Sequence, residues 1–198
     1  MPYNAGLTRE QFMFSEMRVT ARLKHSGLSD EEVLEKVCDE NLFQYPTEKE
    51  IKRKCKACLK RLGAIDNMPA LIEALVSGTV SEAKQAAMIA MMRQSQLLAE
   101  FMITVIGEKY RTLDLSLTKK DFNVFFQNLQ QADEDAATWS ETTISKLKIV
   151  FRTCLREAGY IQGVGNEELC PVYLSDEFIW DLKNAGLSSW LPAFNVLD

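Results

Sequence analysis

Thr47-Glu-Lys-Glu-Ile-Lys-Arg-Lys-Cys-Lys-Ala-Cys-Leu-Lys-Arg-Leu62 decides how this chain is read. Ile51, Cys55, Cys58, Leu59 and Leu62 recur at spacings of three and four, the period of one helix face. Thr47 supplies an N-terminal cap, and Pro46 forbids a helix running in from upstream. The segment is therefore read as an amphipathic helix. It carries seven basic side chains against two acidic ones, in a chain whose formal net charge is −5. Lys49, Lys52, Arg53, Lys56 and Lys60 fall on the side opposite the apolar stripe. So much local positive charge in an acidic protein points to an anionic partner. Nucleic acid comes first, because phosphate neutralisation by Lys and Arg supplies most of its sequence-independent affinity. The same charges also suit an ordinary solvated face.

Working outward, the flanking sequence is helical for the same kinds of reason. Ser29-Asp-Glu-Glu32 is a capping-box pattern, and the helix it opens turns Val33, Leu34 and Val37 inward. Upstream, Thr8 is the expected cap of a helix running to about Ser26, with Gly27 as its stop. Downstream, Pro69 lies near the start of a short helix ending near Gly78, and Ser81 opens a long Ala- and Met-rich helix to about Ile106 or Tyr110. Thr118 and Asp121 mark a helix with Phe122, Phe125, Phe126 and Leu129 apolar, and Ser140 caps another that Gly159 stops. Tyr160–Gln162 and Pro171–Leu174 read as a short two-stranded ribbon, and Ser175 starts a last helix ending near Gly186. The expected fold is all-α, a compact globular helical bundle. Its expected lobes are residues 1–112 and 113–198, with a soft boundary around 111–117, or the two merged into one compact domain.

Composition excludes several classes. Apolar residues make up 46% of 198, enough for a real core, and with only five Pro and nine Gly wholesale disorder is not expected. Five Cys, an odd number at irregular spacings, do not form a secreted disulfide framework, so a cytoplasmic protein is expected. No apolar signal region follows the first residues. The stretch Ala83–Gly107 is apolar, but Arg93, Gln94, Gln96 and Glu100 interrupt it. A charge near the bilayer centre costs roughly 2.5–3.5 kcal/mol on insertion scales. A buried helix is the better reading, and no membrane partner is expected.

Two segments have a helix-turn-helix outline, in which a second helix presents polar and basic residues to DNA. The first is Ser29–Glu40, a turn, then Thr47–Leu62. The second is Thr118–Gln131, then Ser140–Ala158, with the ribbon as a candidate wing. On that second helix Thr142, Thr143 and Lys146 occupy the first turns, and Lys148 and Arg152 follow along one side. Thr and Ser near a helix start are equally good termini. The Cys55-x-x-Cys58 pair sits on an apolar helix stripe and lacks a second close pair, so neither a metal nor a redox role is expected. With one histidine, His25, and no phosphate-cradling Gly loop, no enzyme and no cofactor are expected.

Further short motifs carry a family resemblance. Tyr3-x-Ala5-Gly6-Leu7-Thr8 with Phe12 and Glu16, then Glu40-Asn41-Leu42-Phe43-Gln44 and Lys60-Arg61-Leu62, lie in the first half. Trp139-Ser140-x-x-Thr143-x-x-Lys146-Leu147 and Leu155-Arg156-Glu157-Ala158-Gly159 follow in the second. Together they resemble the BrxA family, small core components of BREX (bacteriophage exclusion) systems. The resemblance runs from Tyr3 to about the helix at Ser175. It implies an all-helical phage-defence protein with helix-turn-helix features that binds double-stranded DNA and has no catalysis of its own. It brings no catalytic signature to carry over; the ten basic and hydroxyl residues named above rest on charge and helical phase. The expected partners are double-stranded DNA and other BREX subunits, with the chain itself monomeric. The rival readings are an adaptor whose basic helices meet acidic partner surfaces, and an RNA-binding helical protein.

Overall fold

Serine and threonine hydroxyls set most of the helix starts. Ser29 and Thr118 form reciprocal capping boxes with Glu32 and Asp121. Thr47, Ser140 and Ser175 accept from the backbone N–H groups of Glu50, Thr143 and Phe178. Each satisfies a donor that the first helical turn leaves open. The computed structural model describes residues 3, 6–8, 11–163, 165 and 168–197, and among these the fold is all-α, with eleven α-helices. None of the described helices is long and apolar enough to cross a membrane.

The chain packs as two compact units, one of residues 12–94 and one of residues 1–11 with 95–198. The sequence reading placed its boundary at 112/113 instead. In the first unit, α1 (Phe14–His25) packs against α2 (Asp30–Asp39), α3 (Glu48–Gly63), α4 (Pro69–Val76) and α5 (Val80–Gln94). Val33, Val37, Phe43, Ile51 and Cys55 form one buried cluster that joins α2 to α3. Arginines finish the helix ends. Arg18 donates to the Leu75 and Gly78 carbonyls, Arg22 to Val76 and Arg93 to Ala64. These cations close the negative ends of α4 and α3.

The second unit is built on a rod of α6 (Gln96–Phe101), a π-helical stretch (Met102–Gly107) and α7 (Glu108–Arg111). It continues with α8 (Lys119–Ala132), α9 (Glu134–Ala137), α10 (Glu141–Ala158), α11 (Asp176–Asn184) and a 3₁₀ segment (Ser188–Phe194). Phe101 meets Phe122, Phe125 and Phe151 with ring centroids 4.9–5.2 Å apart, tying the rod to α8 and α10. The 3₁₀ segment lies directly on the π stretch. A Cβ added at Gly107 would come within 3.2 Å of the Ala193 nitrogen.

Three expectations change. The first helix starts at Phe14, behind Met13 in left-handed conformation, and Gly6–Thr8 is a separate 3₁₀ turn; the Thr8 side chain itself lies outside the described residues. The long helix is broken at Ser95, an extended residue whose hydroxyl caps α6. From Gln85 to Met92 the helix is buried on every side, so no stripe there has a phase that could betray the break. Pro171–Leu174 does not pair. The isolated antiparallel bridges are Ile161 with Leu169 and Ser116 with Glu168. No ribbon, and hence no wing of the expected form, is present among the described residues.

Candidate nucleic-acid interface

In the first unit, α3 lays its apolar stripe into the core and leaves its opposite side in solvent. Ile51, Cys55, Cys58 and Leu62 are buried, while Lys49, Lys52, Arg53, Lys56 and Lys60 are all exposed. The spacing of three and four brings those five cations onto one face, as the sequence requires. Over the eleven residue steps from Lys49 to Lys60 the stripe extends about 16 Å.

The cations are not equivalent. Lys52 is paired with Glu48, and Arg53 lies 3.7 Å from Glu50. The hydrogen bond that Lys52 donates to the Glu48 carboxylate, with that group's charge, raises the Lys52 ammonium above its ordinary value. Among the described residues no ion pair reaches Lys49, Lys56 or Lys60. Two cations of the original seven leave the stripe. Arg61 is 1% exposed, and its Nη1 donates to the Phe12 carbonyl at 2.8 Å. Lys54 lies over the Tyr45 ring, 4.4 Å from its centroid.

The turn that aims α3 is built by side chains that the sequence reading quoted only as part of a family motif, without a structural role. Asn41 and Gln44 both have positive φ, 44° and 58°. Asn41 clamps Tyr45 twice, its amide donating to the Tyr45 carbonyl and its oxygen accepting from the Tyr45 N–H, both at 3.1 Å. The Tyr45 hydroxyl donates to Glu16 on α1. Asn's tolerance of left-handed backbone was the one available signal.

The second predicted zone is divided. On α10, Thr142 and Lys146 are exposed. Thr143 is half-buried, and its hydroxyl lies 3.0 Å from that of the capping Ser140. Lys148 and Arg152 turn toward α8. Lys148 donates to Asn123 Oδ1 at 2.7 Å, and the Arg152 guanidinium sits 5.3 Å from the centroid of the Phe122 ring. α10 therefore brings only Thr142 and Lys146 of its five residues together on open surface.

Cys55 and Cys58 lie fully inside. Burial pushes their thiols up to about 11 and about 12, so both stay protonated at neutral pH and act as small apolar side chains. His25 is exposed beside Lys24, which pairs with Asp30 at 2.6 Å.

Comparison with known proteins adds a separate line. The sequence model of the BrxA family matches residues 1–186. A BREX protein BrxA of Bacillus cereus (strain H3081.97) is 35% identical over 185 residues, covering 93% of this chain and 92% of that one. A BREX protein BrxA of Paramagnetospirillum magneticum (strain AMB-1) is 25% identical over 91% of this chain and 90% of its own. An uncharacterized protein from Magnetospirillum magneticum, seen in a crystal structure, superposes with a TM-score of 0.80 at 23% identity over the whole of both chains. That last likeness is one of fold alone.

Proposed function

The chain belongs to the BrxA family, and from that premise we propose that it is a non-enzymatic component of a BREX phage-defence system that grips double-stranded DNA by its phosphates through α3. The observation that carries this reading is the exposed stripe in which Lys49, Lys56 and Lys60 meet no ion pair among the described residues. Lys56 and Lys60 stand one helical turn apart, a rise of about 6 Å, with Lys49 roughly 10 Å further along. The clamp of Asn41 on Tyr45 holds the turn before α3 in one conformation, so less ordering is needed on binding.

The net charge of −5 opposes association, but screening limits exposed charges to about 8 Å at physiological ionic strength. Within that range the local stripe dominates. Glu48 and Glu50 occupy the first turn of α3, where recognition helices usually meet base edges. Contact through the middle and end of the helix favours phosphate over base reading.

Mobility shifts with duplex DNA, single-stranded DNA and RNA over a salt series test the reading. The K49E/K56E/K60E variant should bind duplex DNA at least about tenfold more weakly, and the slope of log K against log salt should fall by roughly 2.7. Unchanged duplex binding by that variant sinks the assignment to α3. A parent that shifts no duplex but co-purifies with another BREX subunit is the adaptor of the rival reading.

A further inference from the structure

The second unit carries a groove of about 570 Å³ between the rod and α8, lined by none of the residues assigned to DNA. Its two walls have helical spacing. Glu100, Thr104, Glu108 and Thr112 line one wall at intervals of four, and Asp121, Val124, Asn128 and Ala132 line the other at three and four. The three four-residue steps from Glu100 to Thr112 rise about 18 Å, a little over three helical turns. Val105, inside the π stretch, and Lys109, just beyond it, also line the groove. π-helical turns gather at functional places in helices.

The groove has an apolar floor and an acidic rim. Val105, Phe125 and Leu129 lie along its bottom, and Val124 stands 43% exposed at its side. Four carboxylates (Glu100, Glu108, Asp114, Asp121) face two ammonium groups (Lys109, Lys120). Lys109 is already held between Asp114 at 3.0 Å and Asp121 at 3.2 Å, Arg111 pairs with Glu108 at 3.0 Å and the Tyr3 hydroxyl donates to Glu100, so that with Arg111 counted four carboxylates meet three cations. The lining is thus net negative.

We propose that this groove is the docking site for an amphipathic helix of a partner protein, about three turns long, with an aliphatic stripe flanked by Lys and Arg. The shape and the charge select that occupant together. An apolar stripe fills the floor in the helix-in-groove mode, and cationic side chains meet the rim carboxylates. A nucleic acid is rejected by the sign of the charge. A second copy's α3 is rejected because its apolar face is spent in its own core, with Ile51, Cys55 and Cys58 buried.

The test uses the full-length protein and a fluorescent helical model peptide of Leu at i, i+3, i+4 and i+7 with Lys elsewhere, read by anisotropy. The peptide should bind saturably. Val124→Gln should weaken it about fivefold with no change of charge, and the E108Q/D114N pair should weaken it about tenfold and reduce its salt dependence. D176N/E177Q removes two exposed carboxylates elsewhere in the second unit and should leave binding unchanged. Absence of saturable binding overturns the proposal. So does an equal loss in the α11 control, which would mark binding by overall charge only, or an unaffected Val124→Gln variant. Circular dichroism confirms that each variant is folded. The K49E/K56E/K60E protein should hold the peptide as well as the parent, which separates this site from the DNA reading.

Discussion

Gly107 and Asp121 show what a single residue decides here. At Gly107 the backbone of the 3₁₀ segment comes so close that an added Cβ meets Ala193 N at 3.2 Å and Pro192 at 3.3 Å. Replacing Gly by Ala in a helix gains about 1 kcal/mol of chain entropy, while overpacking a core costs about 1–3 kcal/mol. The second effect should win, and Gly107→Ala should lower the thermal midpoint, measured by circular dichroism. At Asp121, burial pushes the carboxyl up, but the Thr118 N–H at 2.6 Å, its hydroxyl at 2.9 Å and Lys109 outweigh it and hold the group below its ordinary value. A pKa lowered by folding contributes stability above the unfolded value and loses it as pH falls through the folded one. Asp121→Asn should therefore destabilise at pH 7, and the gap to the parent should narrow as pH falls below the ordinary carboxylate range, read in urea titrations.

At the scale of elements, α3 is where charge and packing are divided most cleanly. Its first turn spends Glu48 and Glu50 on Lys52 and Arg53. Neutralising both, as E48Q/E50Q, should release two cations toward phosphate. Duplex affinity should rise and the salt slope should steepen by up to about 1.8, read in the same mobility shifts. The helix, its cap and its apolar stripe were legible in Thr47–Leu62, because period and capping are local properties. The pairing of Lys148 with Asn123 and the stacking of Arg152 on Phe122 were not, since they depend on how α10 meets α8. The break at Ser95 escaped for another reason. α5 buries Ala86 through Met92 without interruption, so no apolar stripe marks its end, and the Arg93-Gln-Ser-Gln96 cluster was read as an interruption within one helix.

For the whole molecule, the division into units matters most. Residues 12–94 hold the entire α3 stripe, the cluster around Val33, Val37 and Cys55, and the Arg18, Arg22 and Arg93 end caps. A fragment of residues 12–94 should melt cooperatively and keep the duplex salt slope of the full chain, as read by circular dichroism and mobility shift. From the sequence by itself came the helical class, most helix starts and the one-sided cation stripe, because 3.6-residue periodicity and hydroxyl caps act within a few neighbours. Only the tertiary structure decided which cations stay open, that Arg61 is enclosed against Phe12, and that residues 95–198 close into one unit with the first eleven. Those outcomes rest on contacts between segments distant in the chain, which no local pattern of residues encodes.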